Sequence, residues 1–213
     1  MCSSDLEPRC PCVLLLDTSG SMAGDKISEL NNGLATFESE LKSDPIAAKR
    51  VEVAIITFGP VKVVQEFVTA DSFIAPVLNA SGITPMGAAI NEAISLIAER
   101  KNTYKNNGIS YYRPWIFMIT AGEPTDSITD AASAISEGES SKAFTFYAVG
   151  VERAKLETLS RISTRQPLKL RELSFRELFV WLSNSMKNVS KSQLGEIIKL
   201  DNPIAPRGWA TID

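Results

Sequence analysis

The sequence predicts an α/β fold, a three-layer, doubly wound and mostly parallel sheet with one antiparallel edge strand. Three observations point there. Short, continuous apolar runs recur along the chain, which is the pattern of strands covered on both faces. Segments with apolar residues at helical spacing separate those runs, as alternating strand–helix units require. One connection, Gly59-Pro60, is too short for a crossover, so the strands it joins must be antiparallel neighbours.

The first strand is Cys12-Val13-Leu14-Leu15-Leu16. Ile27, Leu30, Leu34, Phe37 and Leu41 then predict a helix over residues 26–43, ended by Asp44-Pro45. Residues 51–58 are rich in β-branched side chains and read as the second strand, and 61–67 as its antiparallel edge partner. A helix should open near Thr84-Pro85, because proline is welcome in a first turn, with Ile90, Ala93, Ile94 and Ile97 inward. Residues 101–112 look polar and loop-like. Next come a strand at 114–120, a helix at 127–137, a strand at 143–149, a short helix at 155–163, a short strand at 168–170 and an amphipathic helix at 175–189. Residues 202–209 read as extended. The expected organisation is a leader over residues 1–9, one domain over 10–200 and an extended tail over 201–213.

The chain has 213 residues, 44% hydrophobic and 22% charged, the composition of one folded domain rather than a disordered or membrane-spanning chain. No apolar stretch approaches the ~20 residues of a spanning helix, and residues 1–5 lack the basic and apolar regions of a secretory signal. A cytoplasmic location without membrane attachment is therefore expected. A net charge of −3 and no long basic run give no support for a nucleic-acid partner. Three cysteines, Cys2, Cys10 and Cys12, cluster near the start, and there is no histidine. The expectation is reduced thiols in a leader, and the alternative is a zinc site completed by Asp5, Glu7 or a second chain.

Asp17-Thr18-Ser19-Gly20-Ser21 follows the first strand directly. Open parallel sheets bind ligands beyond the carboxyl ends of their strands, so Asp17 with Ser19 and Ser21 forms an oxygen-donor set for a hard divalent cation. Thr84, in a loop the same fold brings to that end, is a further candidate donor. A competing role for the hydroxyls is local capping and turn bonding. The lack of histidine removes Ser-His-Asp and Cys-His chemistry, and the residues 20–26 fail phosphate-loop spacing.

Asp17-Thr18-Ser19-Gly20-Ser21-Met22 resembles the Asp-x-Ser-x-Ser motif of von Willebrand factor type A domains, and Thr84 resembles that family's threonine ligand. Asn31-Asn32-Gly33-Leu34, Ile55-Ile56-Thr57-Phe58 and Gly122-Glu123-Pro124-Thr125-Asp126 further resemble its bacterial tellurium-resistance TerY branch. The resemblance implies a Mg²⁺ site (Mn²⁺ or Ca²⁺ as substitutes) that binds a carboxylate of a partner protein without turnover. In that branch it implies a kinase or phosphatase of a stress-response system as partner. One departure matters: where the family has Thr-Asp-Gly, this chain has Thr120-Ala121-Gly122. A single carboxylate would leave the bound ion with net positive charge, unless Glu123 or Asp126 compensates through water. Two other readings stay open, a metal-free scaffold and a Mg²⁺-dependent phosphatase with Asp17 as nucleophile.

Overall fold

The computed structural model describes residues 6–212. Seven strands form one sheet: β1 (Cys10–Asp17), β2 (Val51–Phe58), β3 (Lys62–Thr69), β4 (Trp115–Thr120), β5 (Thr145–Gly150), β6 (Leu168–Leu170) and β7 (Ala210–Thr211), ordered 3-2-1-4-5-6-7. The pairs from β2 through β6 are parallel, and β3 joins β2 antiparallel as the short Gly59-Pro60 turn demands. A second antiparallel strand lies at the opposite edge, where β7 pairs with β6.

Helices cover both faces. The alternating side chains of β1 divide the core: Cys10, Cys12, Leu14 and Leu16 face α1 (Asp25–Lys42), α2 (Pro45–Arg50) and α6 (Phe175–Lys191). Val13 and Leu15 face α3 (Met86–Asn106), α4 (Thr129–Ser140) and α5 (Leu156–Ile162). Each α1 and α3 stripe named from the sequence is at the interface, with Leu30, Leu34, Phe37, Ile90 and Ala93 fully buried.

Four expectations need correction. Cys10 and Cys12 are not in a leader; they are the first and third residues of β1 and are completely buried. Burial pushes the Cys10 thiol up to about 12 and raises that of Cys12 further. Glu7, offered as a zinc ligand, instead accepts from Arg50 at 2.6 Å, and among the described residues no group of three or more Cys, Asp or Glu converges. Cys2 and Asp5 lie outside the described residues.

Asp44-Pro45 ends one helix and starts another. The Asp44 carboxylate caps α2 by accepting from the N–H groups of Ile46 and Ala47, both at 3.0 Å, and proline occupies the first turn. The region 101–112 is not all loop, because α3 continues to Asn106. Tyr104 holds it down: its hydroxyl donates to Glu52, a buried carboxylate of β2 that also takes Arg100 through two bonds at 2.9 and 2.7 Å. The tail is not merely extended. Trp209 packs edge-on against Trp181 at 5.5 Å, Arg171 N donates to Trp209 O at 2.8 Å, and Ala210 enters the sheet.

Candidate metal centre

The chain leaves β1 toward α1 on one face and β4 toward α4 on the other, so a crevice opens above the carboxyl ends of these adjacent strands. Asp17 is the last residue of β1 and is 0% exposed. Its Oδ1 accepts from Ser19 N at 2.8 Å, and its Oδ2 accepts from Thr120 Oγ1 at 2.8 Å and Ala121 N at 3.0 Å. Those three donors are neutral. No lysine or arginine pairs with Asp17 among the described residues, although a buried carboxylate far from any cation is costly.

Ser19 and Ser21 bring their hydroxyls to 2.7 Å of one another. Bonds of 2.0–2.1 Å to an octahedral ion put adjacent ligands about 3 Å apart, so this pair is close to the spacing that such an ion needs. Thr84 is 5% exposed and does not cap α3; its Oγ1 has no hydrogen-bond partner among the described residues. A Cβ placed on Gly122 would lie 2.9 Å from Thr84 Oγ1 and 3.0 Å from Ser21 Oγ. The two hydroxyls therefore flank one cradle, open because residue 122 lacks a side chain.

Backbone bonds between distant loops fix this arrangement. Ser81 N donates to Thr18 O at 2.7 Å, Gly20 N to Gly82 O at 3.0 Å, and Thr125 N to Thr84 O at 2.9 Å. The approach is possible because Gly59 stands between them: a Cβ there would be 2.7 Å from Ser19 N and 2.8 Å from Ser81 O. A Cβ on Gly82, at φ 76, would in return lie 2.9 Å from the Gly59 carbonyl oxygen.

Ser19, Ser21 and Thr84 thus bring their hydroxyls together around the cradle, next to the strand end that carries Asp17. Glu123 and Asp126 have their carboxylates turned to other work. Asp126 accepts from Gly87 N at 3.0 Å and Ala88 N at 2.8 Å, capping α3 from outside the helix. Glu123 accepts from Lys155 N at 3.2 Å and Thr158 Oγ1 at 2.7 Å, which ties it to the start of α5. Ala121 is 5% exposed and contributes its N–H, not a side-chain ligand.

The chemistry of the donor set, one carboxylate and three hydroxyls around a cradle, fits a hard cation that keeps part of its water. Beside the cradle a cavity of about 330 Å³ is lined by Gly20, Ser21, Ala23, Lys26, Ala121, Glu152 and Arg153. Sequence reasoning missed Thr120, whose hydroxyl orients Asp17; a polar residue closing an apolar strand was the available signal. It also missed Lys26, Glu152 and Arg153, which only the shared crevice of neighbouring strands could have brought to notice.

The model of the von Willebrand factor type A domain family matches residues 12–177. No curated protein matches the chain. Among solved structures, proximal thread matrix protein 1 of the mussel byssus superposes with a TM-score of 0.57 at 14% identity, over 85% of this chain and 48% of that one. The pilus adhesin SpaC of Lactobacillus rhamnosus GG gives 0.66 at 13%, over 86% of this chain and 30% of that one. The von Willebrand factor domain of the pilus tip protein Mfa5 of Porphyromonas gingivalis gives 0.58 at 10%, over 91% and 99%. The chain spans about half of the first of these and less than a third of the second. Among the described residues no helix is long and apolar enough to cross a membrane. With the family model covering most of its length and the same fold in these structures, the chain belongs to the von Willebrand factor type A domain family.

Proposed function

We propose that this domain is a non-enzymatic interaction module that holds Mg²⁺ through Asp17, Ser19, Ser21 and Thr84 and offers the ion to a carboxylate of another protein. Type A domains generally mediate protein–protein interactions, and the metal dependence is the specific part of this reading. One observation carries it: Asp17 is a fully buried carboxylate without a cationic partner among the described residues, at the strand end next to a cradle flanked by the hydroxyls of Ser21 and Thr84, the latter with no hydrogen-bond partner among those residues. A divalent ion would meet both needs, and Mn²⁺ or Ca²⁺ could take the same oxygens. When bound, the ion supplies an electrophilic position for an anionic ligand. The chain's own residues orient Asp17, keep Ser19 and Ser21 adjacent and hold the four loops rigid.

Glu123 and Asp126 commit their carboxylates to the starts of α5 and α3, whereas Asp17 ends β1 at the cradle, so the proposal takes Asp17 as the acidic ligand. The same commitment weighs against the phosphatase reading, which needs a second acid near the nucleophile. A kinase or phosphatase partner in a tellurium or stress-response system, inside the cytoplasm, is proposed from the resemblance to the TerY branch, a fold-level analogy.

Calorimetry with Mg²⁺ and Mn²⁺ on the natural chain, Asp17→Ala and Ala121→Asp tests the reading. Heat that disappears in Asp17→Ala, with circular dichroism showing that variant folded, supports it. Ala121→Asp should tighten the ion and weaken an anionic partner, since a second negative charge cancels part of the ion's excess. No heat with either ion means a metal-free scaffold, and Asp17-dependent turnover of a phosphoester means a phosphatase.

A further inference from the structure

The cavity beside Ser21 and Ala121 is closed on its far side by the turn between β5 and α5. β4 and β5 pair Thr120 with Gly150, so the two strands end level, and Val151 N donates to Thr120 O at 2.8 Å. The chain then reverses at once: Ala154 N donates to Val151 O at 3.0 Å, with Glu152 at φ 45. Val151 and Ala154 are buried beneath the turn while Glu152 and Arg153, between them, are exposed and line the cavity. Glu152 is bound to Lys26 at 2.9 Å, and those two charges offset one another. Arg153 makes no hydrogen bond or ion pair among the described residues.

A long cationic side chain left without a partner, facing a polar cavity that adjoins the site proposed for the ion, has a defined chemical use. We infer that Arg153 is a specificity-determining residue that receives a second acidic side chain of the partner, beside the one that reaches the metal. The inference rests on the metal-dependent reading and names the partner's chemistry more closely. Arg is suited to this task because its planar fork can grip a carboxylate through two parallel bonds. The cavity, about 330 Å³, has Ser21 and Ala121 in its wall on the strand-end side and Arg153 in its wall on the β5–α5 turn, so a ligand entering it meets both. Like-facing side chains two residues apart on an extended strand are separated by about 6.6 to 6.8 Å. An extended peptide with acids at positions i and i+2, which places both on one side, is the simplest ligand of this chemistry and serves as the probe.

The probes are three synthetic peptides in Mg²⁺ buffer, acetyl-Gly-Asp-Gly-Glu-Gly-amide and its two singly acidic counterparts with Asp replaced by Asn or Glu by Gln. The doubly acidic peptide should bind the natural domain about 5-fold more tightly than either counterpart, and the advantage should shrink as salt is raised, because Arg153 is exposed. Arg153→Gln should abolish that advantage without changing the calorimetric heat of Mg²⁺, and Arg153→Lys should restore part of it. The inference is overturned if the natural domain shows no preference for two acids, or if Arg153→Gln retains the whole preference while still binding Mg²⁺. Absence of Mg²⁺ heat in the natural chain instead sinks the metal reading itself, whatever Arg153 does.

Discussion

Adding one methyl group at residue 122 tests the cradle with little disturbance elsewhere. The Cβ of Gly122→Ala would sit 2.9 Å from Thr84 Oγ1 and 3.0 Å from Ser21 Oγ, about 0.4 to 0.5 Å inside ordinary van der Waals contact. Both hydroxyls must give way by that amount. Mg²⁺ demands bonds of about 2.0–2.1 Å in near-ideal octahedral geometry, whereas Ca²⁺ accepts about 2.3–2.6 Å in flexible shells. The displacement therefore falls in the range one ion refuses and the other tolerates. Mg²⁺ affinity should drop at least ~10-fold, or ~1.4 kcal/mol, and Ca²⁺ affinity by much less. Gly122 has no positive φ, so alanine suits its backbone and folding stability should change by no more than about 1 kcal/mol. Parallel calorimetric titrations with the two ions, and urea unfolding in chelator, give the readout. Unchanged Mg²⁺ binding, or equal losses for both ions, would refute the geometry argued for Ser21 and Thr84.

Two further expectations concern the scaffold. Burial raises the pKa of Cys10 from 9.0 to about 12, and Cys12 shifts the same way, so their contribution to stability is full below about pH 9. It is lost as pH rises toward the folded-state values, because the unfolded chain releases its thiol protons first. Urea midpoints should fall between about pH 8 and about pH 10.5, less steeply in a Cys10→Ala, Cys12→Ala variant, and a native thiol count with an aromatic disulfide should miss both residues. Glu52→Gln should cost about 2 to 4 kcal/mol and lower Tm by about 5 to 15 °C, because Arg100 loses its bidentate carboxylate and the amide that replaces it accepts at only one of the two oxygen positions that Arg100 and Tyr104 use. That carboxylate holds Arg100 above its usual range, and burial together with Glu52 raises Tyr104 as well. A thermal shift below 2 °C would mean that the cluster contributes little.

How much the sequence disclosed depended on whether each signal was local. Residues 51–58 were legible to the residue because a run so rich in apolar and β-branched side chains, with only Glu52 and Thr57 polar, has few alternatives. The start of β1 was hidden by Pro11, which looks incompatible with a central strand. It is tolerated because pairing with β4 begins only at Cys12. The last turn of α3 carries one apolar side chain, Tyr104, among polar ones, and its reason to stay helical lies 52 residues away in Glu52. β7 is two residues long and owes its existence to Trp209 and the edge of β6, neither of which leaves a periodic trace. At the site, Asp17, Ser19 and Ser21 are neighbours in sequence and could be read together, and the strand–helix order allowed Thr84 to be added. Capping is the ordinary role of an acid such as Asp126 just before a helix, but that it serves α3 rather than the helix that follows it, and that Glu123 reaches α5, was out of reach, since such a carboxylate gives no hint in its own surroundings.

Those two acids give the loop after β4 a mechanical consequence. It is stapled at one end to the start of α3 and at the other to the start of α5, so any sideways excursion must break two N–H bonds of α3 and the bonds from Lys155 N–H and the Thr158 hydroxyl. A surface anchored in this way meets its visitor already shaped. The cost of ordering these residues is incurred while the chain folds, and the encounter itself is left with side-chain adjustments alone.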